Sequence, residues 1–357
     1  MKFDFCIGNP PYQEESETES TTNGQKPRKN IFHYFQMEAD KITKQSSVMI
    51  YPGGRWIHQS GKGLQQFGKS LINDHTLSTV EFYPDSKELF GQAADLSDGI
   101  TIVTKKKDKD TDGFNYVYCK HGEEQKILAK NPGDDLMPLI PDDMKIVDKI
   151  TEFVQKNHLS FLHEAILPRS LFSIESDFVE KNPSRVEEYI PSKKYNWDKK
   201  IKLLTNDRAG KAGRAKWFVA DKDLITTNTE YIKEWQVIVS SANAGGQKRD
   251  NQIEIADNHS AYGRVRVGLR SFKTLAEAKH FYDYANTYLI KFAFLMTDES
   301  LTSLGKAVPD IIDYSDNNKL IDFASDLNTQ LFQLVGFSEA EIDYIKDRVD
   351  NLRKRGE

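Results

Sequence analysis

Lys2-Phe3-Asp4-Phe5-Cys6-Ile7-Gly8-Asn9-Pro10-Pro11-Tyr12 is the stretch on which the reading of this chain turns. Residues 2–8 have the composition of a buried strand running into a glycine turn. Because that strand starts at once, a portion upstream of it is expected. Residues 13–30 are rich in Glu, Ser, Thr, Asn, Gly and Lys and almost free of apolar side chains, which predicts a mobile loop. Ile31, Phe32, Phe35, Ala39 and Ile42 then recur at helical spacing, followed by the β-type run Ser47-Val48-Met49-Ile50-Tyr51, stopped by Pro52-Gly53-Gly54. Leu64, Phe67, Leu71 and Ile72 predict a second helix over 63–73, and strands are expected over 77–83 and 99–104. Strands alternating with helices predict an α/β sheet rather than a sandwich or a bundle.

The 357 residues imply two domains, with room for a third small one. Lys and Arg number 49 against 54 Asp and Glu, a net charge of −5, which excludes a uniformly basic nucleic-acid binder and makes any polyanion site local. Hydrophobic residues at 38%, with 20 Phe, 15 Tyr and 4 Trp, suffice for real cores and are too many for wholesale disorder. Apolar runs such as 289–296, broken by Lys291, fall short of the roughly 20 residues a membrane helix needs. Cys6 and Cys119 are too few for a disulfide framework or a zinc cluster, and no basic-then-apolar leader stands at the start, so the cytoplasm is the expected location.

The chemistry resides in Asn9-Pro10-Pro11-Tyr12. The two prolines fix the backbone and remove its donors, so the Asn9 side-chain oxygen and the Pro10 carbonyl can converge as two acceptors. Two close acceptors suit an exocyclic amine, and the Tyr12 ring beside them suits stacking on a planar base. Taken alone, the tetrapeptide also fits a rigid turn with a surface tyrosine.

In order and spacing the chain resembles the gamma-type, Eco57I-like N6-adenine DNA methyltransferases of restriction-modification systems. Residues 3–13 resemble that family's catalytic strand and loop. Residues 47–56 resemble its next motif, although the family's turn more often precedes the strand, and 63–71 resemble the following helix. Val80-Glu81-Phe82-Tyr83, Lys87-Glu88-Leu89-Phe90 and 98–105 resemble the remaining motifs, and 334–344 the C-terminal helices. The resemblance implies a partial Rossmann-like methyltransferase sheet, its C-terminal half, over 1–110, a transition over 111–150, and an α+β target-recognition domain with C-terminal helices over 151–357. It assigns Asn9 and Pro10 as acceptors for the target amine and Pro11 as part of the rigid catalytic loop. Tyr12 would stack on a flipped adenine with Phe90 on its other side, the stacking offsetting part of the cost of flipping. The implied reaction is direct attack of the adenine amine on the methyl group of S-adenosylmethionine.

The chain also departs from the family. The glycine-rich strand-to-helix turn that forms most of the S-adenosylmethionine site lies upstream of this loop in the family, and neither 240–246 nor 304–306 substitutes for it. A half sheet exposes an edge and a face, which predicts self-association or an upstream polypeptide carrying that turn. The rival expectation is a catalytically inactive DNA-binding or specificity subunit.

Double-stranded DNA is the expected partner of the second region. Residues 193–216 hold nine basic residues (Lys193, Lys194, Lys199, Lys200, Lys202, Arg208, Lys211, Arg214, Lys216) against Asp198 and Asp207, a local net charge of +7 flanked by Trp197 and Trp217. Lys248, Arg249, Arg264, Arg266 and Arg270 form a second patch, with Asn243, Gln247, Asn251 and Gln252 as candidate base readers. Solvated surface is the plain alternative for both. The stretch 105–113, KKKDKDTDG, is expected as a solvated turn. Pro141-Asp142-Asp143-Met144-Lys145 has the residue types of a metal-dependent nuclease but lacks flanking strands, and the histidines, His33 and His58 among them, show no metal-ligand spacing.

Overall fold

Two units divide the chain, 1–145 and 146–357, in a computed structural model that describes residues 2–15, 28–54, 56–57, 64–93, 96, 98–210, 212–247, 249–297 and 301–353. The first unit is built on β1 (Phe3–Gly8), where Phe, Asp, Phe, Cys and Ile alternate across a pleat. β2 (Gln13–Glu15) and β3 (Arg28–Asn30) pair as antiparallel arms within the stretch expected to be a loop, while 16–27 lie outside the described residues. α1 (Phe32–Ile42) buries Phe32, Gln36 and Ala39, one helical face, and leads into β4 (Thr43–Pro52), which runs parallel to β1. α2 (Gln65–Ile72), β5 (Leu77–Tyr83), the single turn α3 (Lys87–Phe90) and β6 (Ile100–Lys106) follow.

The sheet does not stop at residue 110. β7 (Phe114–Lys120) and β8 (Glu123–Ala129), within the segment expected as a transition, complete a six-stranded mixed sheet in the order β1-β4-β6-β5-β7-β8. β8 gave no strand signal because five of its seven side chains are exposed and break the apolar alternation.

Register assigns each face. Met49, Val103, Val80 and Tyr116 stand in one row across four strands and are buried, in a core that also holds Phe32 and Ala39 of α1 and Leu71 and Ile72 of α2. On the other face the row Ile7, Val48, Thr104, Thr79 and Asn115 is exposed or half-exposed. β1 is an edge strand, and its Phe3, Phe5 and Ile7 are 49%, 64% and 81% exposed.

Lys105, expected in a solvated turn, belongs to β6 and is buried. Its ammonium donates to Asp40 at 2.6 Å and Asp74 at 2.7 Å. Gln36 extends this network, donating to Asp40 at 2.7 Å and accepting from the buried Tyr51 hydroxyl.

α4 (Pro141–Lys156) carries the division between the units, and the Asp142-Asp143 pair occupies its first turn. In the second unit, β9 (Ser160–Phe161) and α5 (Phe178–Lys181) precede a four-stranded sheet. That sheet is formed by β10 (Val186–Glu188), β11 (Lys200–Asn206), β12 (Ala215–Asp221) and, beyond β13 (Trp235–Ser240) and β14 (Glu254–Ala256), β15 (Ser260–Tyr262), in the order β10-β12-β11-β15. β13 and β14 pair instead with β16 (Arg266–Phe272) as a three-stranded sheet. The run 260–267 thus forms two strands in different sheets, parted by a turn in which the Arg266 N–H donates to the Gly263 carbonyl at 3.1 Å.

α6 (Leu275–Ala285) and α7 (Tyr288–Leu295) follow as two separate helices. Asn286 and Thr287 donate side-chain hydrogen bonds back to the carbonyls of Tyr282 and Tyr284, at 2.9 and 2.8 Å, and end the first helix. β17 (Pro309–Asp310) pairs with β9, and α8 (Leu327–Val335) and α9 (Glu339–Arg353) close the chain. Among the described residues no helix is long and apolar enough to cross a membrane.

Candidate functional site

Asn9, Pro10, Pro11 and Tyr12 stand at the carboxyl end of β1, the strand end outside which open α/β sheets bind ligands. An asparagine that ends a strand commonly accepts a hydrogen bond from the N–H two residues on; Pro11 has none to give. The Asn9 side chain is exposed and its Oδ1 instead accepts the Tyr12 hydroxyl at 2.9 Å. Pro10 is buried, and Tyr12 is half-buried against the core of the first unit. Burial pushes the Tyr12 hydroxyl pKa up, so it stays a donor at neutral pH. The carbonyl of Tyr12 accepts from the Ile31 N–H at 3.0 Å, just beyond the β2–β3 arms, which roots the ring beside the start of α1.

Phe90 ends α3, half-buried, and shares no ring contact with Tyr12. The next residue, Gly91, has φ +56° and ψ −134°, a conformation essentially confined to glycine, so the chain can turn sharply just after Phe90.

Among the described residues no glycine turn forms a cradle for a nucleotide-like cofactor. One Pro-Gly-Gly turn follows a strand in the first unit, but the Gly53 N–H donates to the Gly99 carbonyl at 2.7 Å and Gly54 packs against Leu139. Neither glycine is left to approach a ligand. Among the described residues no group of His, Cys, Asp and Glu gathers with metal-ligand geometry. His33 packs against Tyr34 and Phe67, and His58 lies outside the described residues.

Among the described residues, acidic side chains, some nearby in sequence and some distant, pair with eight of the fourteen basic residues singled out in the second unit. Lys193 pairs with Glu187 at 2.7 Å, Lys200 with Asp221 at 2.6 Å, and Lys216 with Asp207 at 3.5 Å, with Arg208 at 3.9 Å from the same carboxylate. The Lys202 ammonium lies 4.8 and 4.4 Å from the ring centres of Tyr189 and Trp217 and 3.3 Å from Asp257. Arg214 donates to the Gly213 carbonyl at 3.0 Å within its own hairpin tip. Arg264 pairs with Glu175 at 2.7 Å.

Arg266 and Arg270 differ from the surface expectation. Arg266 is buried against Glu254 at 3.0 Å, and Arg270 is held by buried Asp310 with the Tyr314 ring 5.3 Å away. Asn243 and Asn251, expected as base readers, are buried braces whose side chains donate to the carbonyls of Arg249 (2.5 Å) and Ala244 (3.1 Å); Gln247 donates to the Thr297 carbonyl. Gln252 is exposed. Lys194, Lys199 and Arg249 are exposed with no carboxylate partner among the described residues, and Lys211 and Lys248 lie outside them.

Sequence reasoning missed the ring series Tyr189, Tyr195, Trp197 and His259, whose neighbouring centres are 5.7, 5.3 and 5.7 Å apart. Only the aromatic content of 189–197 hinted at it, since His259 comes from another strand connection.

Residues 1–90 match the Eco57I restriction-modification methylase family. No curated protein matches the chain. Among solved structures, it is similar to the methyltransferase subunit of the type I restriction-modification system from Streptococcus thermophilus, at 19% identity and a TM-score of 0.25 over 36% of this chain and 29% of that one. It is also similar to a chain from a structure of type I R-M system assembly and conformational transition, at 16% identity and a TM-score of 0.24 over 33% and 24%. The type IIG restriction endonuclease BpuSI is similar at 8% identity and a TM-score of 0.34 over 99% of this chain and 54% of that one. The chain thus spans about half, or less, of the length of these structures.

Proposed function

We propose that this chain carries the target-base side of an adenine-N6 DNA methyltransferase of a restriction-modification system. The observation that carries this reading is the Asn9-Pro10-Pro11-Tyr12 loop at the carboxyl end of edge strand β1, with an exposed amide oxygen held beside an aromatic ring. The family match over 1–90 supports it. In this reading Asn9 Oδ1 and the Pro10 carbonyl accept the two N–H bonds of the adenine amine, which draws the nitrogen lone pair towards the reacting face. Tyr12 and Phe90 stack on the flipped base, and Pro11 keeps the loop rigid and free of competing donors.

S-adenosylmethionine is the methyl donor this chemistry calls for, and the described residues supply no cradle for it. The cofactor side belongs to a polypeptide segment that adds a strand to the free edge of β1 and covers the bare sheet face beside Phe3, Phe5 and Ile7. The first unit is thus half of a Rossmann-like methyltransferase sheet. The second unit is the DNA-recognition part, with Lys194, Lys199 and Arg249 as the phosphate contacts left free by the ion pairing.

The test is incorporation of labelled methyl groups from S-adenosylmethionine into duplex DNA, by the chain alone and with the polypeptide encoded next to it. Asn9→Ala is expected to reduce incorporation at least a hundredfold, as loss of a group acting in the transition state does. DNA binding without incorporation under either condition would overturn the enzymatic reading in favour of an inactive DNA-binding subunit.

A further inference from the structure

We propose that the Tyr12 hydroxyl is a positioning group that locks the Asn9 amide with its oxygen, not its NH2, turned to the target base. The proposal rests on the adenine reading above and adds a role for the end of the Tyr12 side chain that stacking does not use.

An asparagine side chain can present either an acceptor or a donor, and the two are related by a half-turn of the amide. A site that must accept from an amine is preorganised only if something holds the oxygen in place. The backbone donors next in sequence cannot choose here, because residues 10 and 11 are both proline. The structure supplies the missing donor from the side chain three residues on: the Tyr12 hydroxyl donates to Asn9 Oδ1 at 2.9 Å. A carbonyl oxygen has two lone pairs, so one remains for an incoming N–H.

The same bond fixes the ring. Tyr12 is anchored at its backbone by the Ile31 N–H at 3.0 Å and at its far end by Asn9, and it packs against the core on the way. A planar base laid on the ring therefore finds the free lone pair of Oδ1 beside its edge. Stacking surface and acceptor are set by one contact, so removing the hydroxyl loosens both while leaving the ring.

The full chain with nitrogen-15 in its asparagine side chains tests this, with the Asn9 amide signal identified by its loss in Asn9→Asp and with adenosine as the probe. Tyr12→Phe is expected to shift the Asn9 signal, leave those of Asn73 and Asn131 in place, and weaken adenosine binding about fivefold, the worth of one such hydrogen bond. An Asn9 signal unchanged in Tyr12→Phe overturns the proposal, and so does a shifted signal with unchanged adenosine affinity. If adenosine fails to move the Asn9 signal of the unaltered chain, the adenine reading falls, and the lock is then decided by the Tyr12→Phe shift alone.

Discussion

The ammonium group of Lys105 lies almost wholly out of water between Asp40 and Asp74, with its side chain only 4% exposed. Removing one partner of such a group strands the other charges, so Lys105→Met is expected to lower stability by about 3 kcal/mol, read from urea unfolding at neutral pH. A loss no larger than that of a surface ion pair would refute the burial argument. The pH dependence follows from Asp74: burial raises its pKa, but hydrogen bonds from Lys105 and Thr76 outweigh this and hold it below the usual range. A carboxylate lowered in the folded state contributes stability above its ordinary pKa of about 4 and loses it as pH falls through the lowered value. The unaltered chain should therefore lose stability more steeply than Lys105→Met as pH falls below about 4. None of this was legible in KKKDKDTDG, because the partners of Lys105 lie 65 and 31 residues away. The opposite holds for Asn9 and Tyr12, three residues apart, whose meeting is a local consequence of the prolines between them.

At the scale of elements, α2 approaches the segment after β4 so closely that a Cβ on Gly68 would lie 1.9 Å from the Trp56 carbonyl oxygen. Trp56 itself is fully buried and donates to Thr101 at 3.0 Å, so its backbone has nowhere to retreat. Gly68→Ala is expected to cost about 3 kcal/mol despite alanine's better helix propensity, visible as a lowered thermal midpoint. An unchanged or raised midpoint would mean that α2 packs farther out. Helical spacing disclosed α1 and α2 because a helix that buries one face must repeat its apolar residues. Gln36, on the buried face of α1, broke that pattern and could not be foreseen, since its burial depends on Tyr51 and Asp40 taking its polar atoms. The breaks at 263 and 286–287 are hidden from a sequence reading for a related reason. Both are made by hydrogen bonds that interrupt runs of otherwise continuous apolar pattern.

For the molecule as a whole, the consequential feature is the edge of the first sheet, where Phe3, Phe5 and Ile7 leave an apolar stripe in water on a strand with no second strand partner among the described residues. Light scattering should show the mean mass of the isolated chain rising with concentration, and Phe5→Lys with Ile7→Lys should hold it at one chain without lowering the thermal midpoint. A chain that stays monomeric throughout would mean that this edge tolerates water and needs no cover. By itself the sequence determined β1, α1, β4, α2, β5 and β6 in their order, and the Asn-Pro-Pro-Tyr loop that follows β1, because each follows from spacings of a few residues. Only the tertiary structure decided that the sheet extends through β8, which side chains of its edge strand stand in water, and that, among the described residues, five of the nine cations of the 193–216 run have a carboxylate within 4 Å. Those outcomes depend on which distant side chains meet, and a count of charges or apolar residues along a chain does not contain that information.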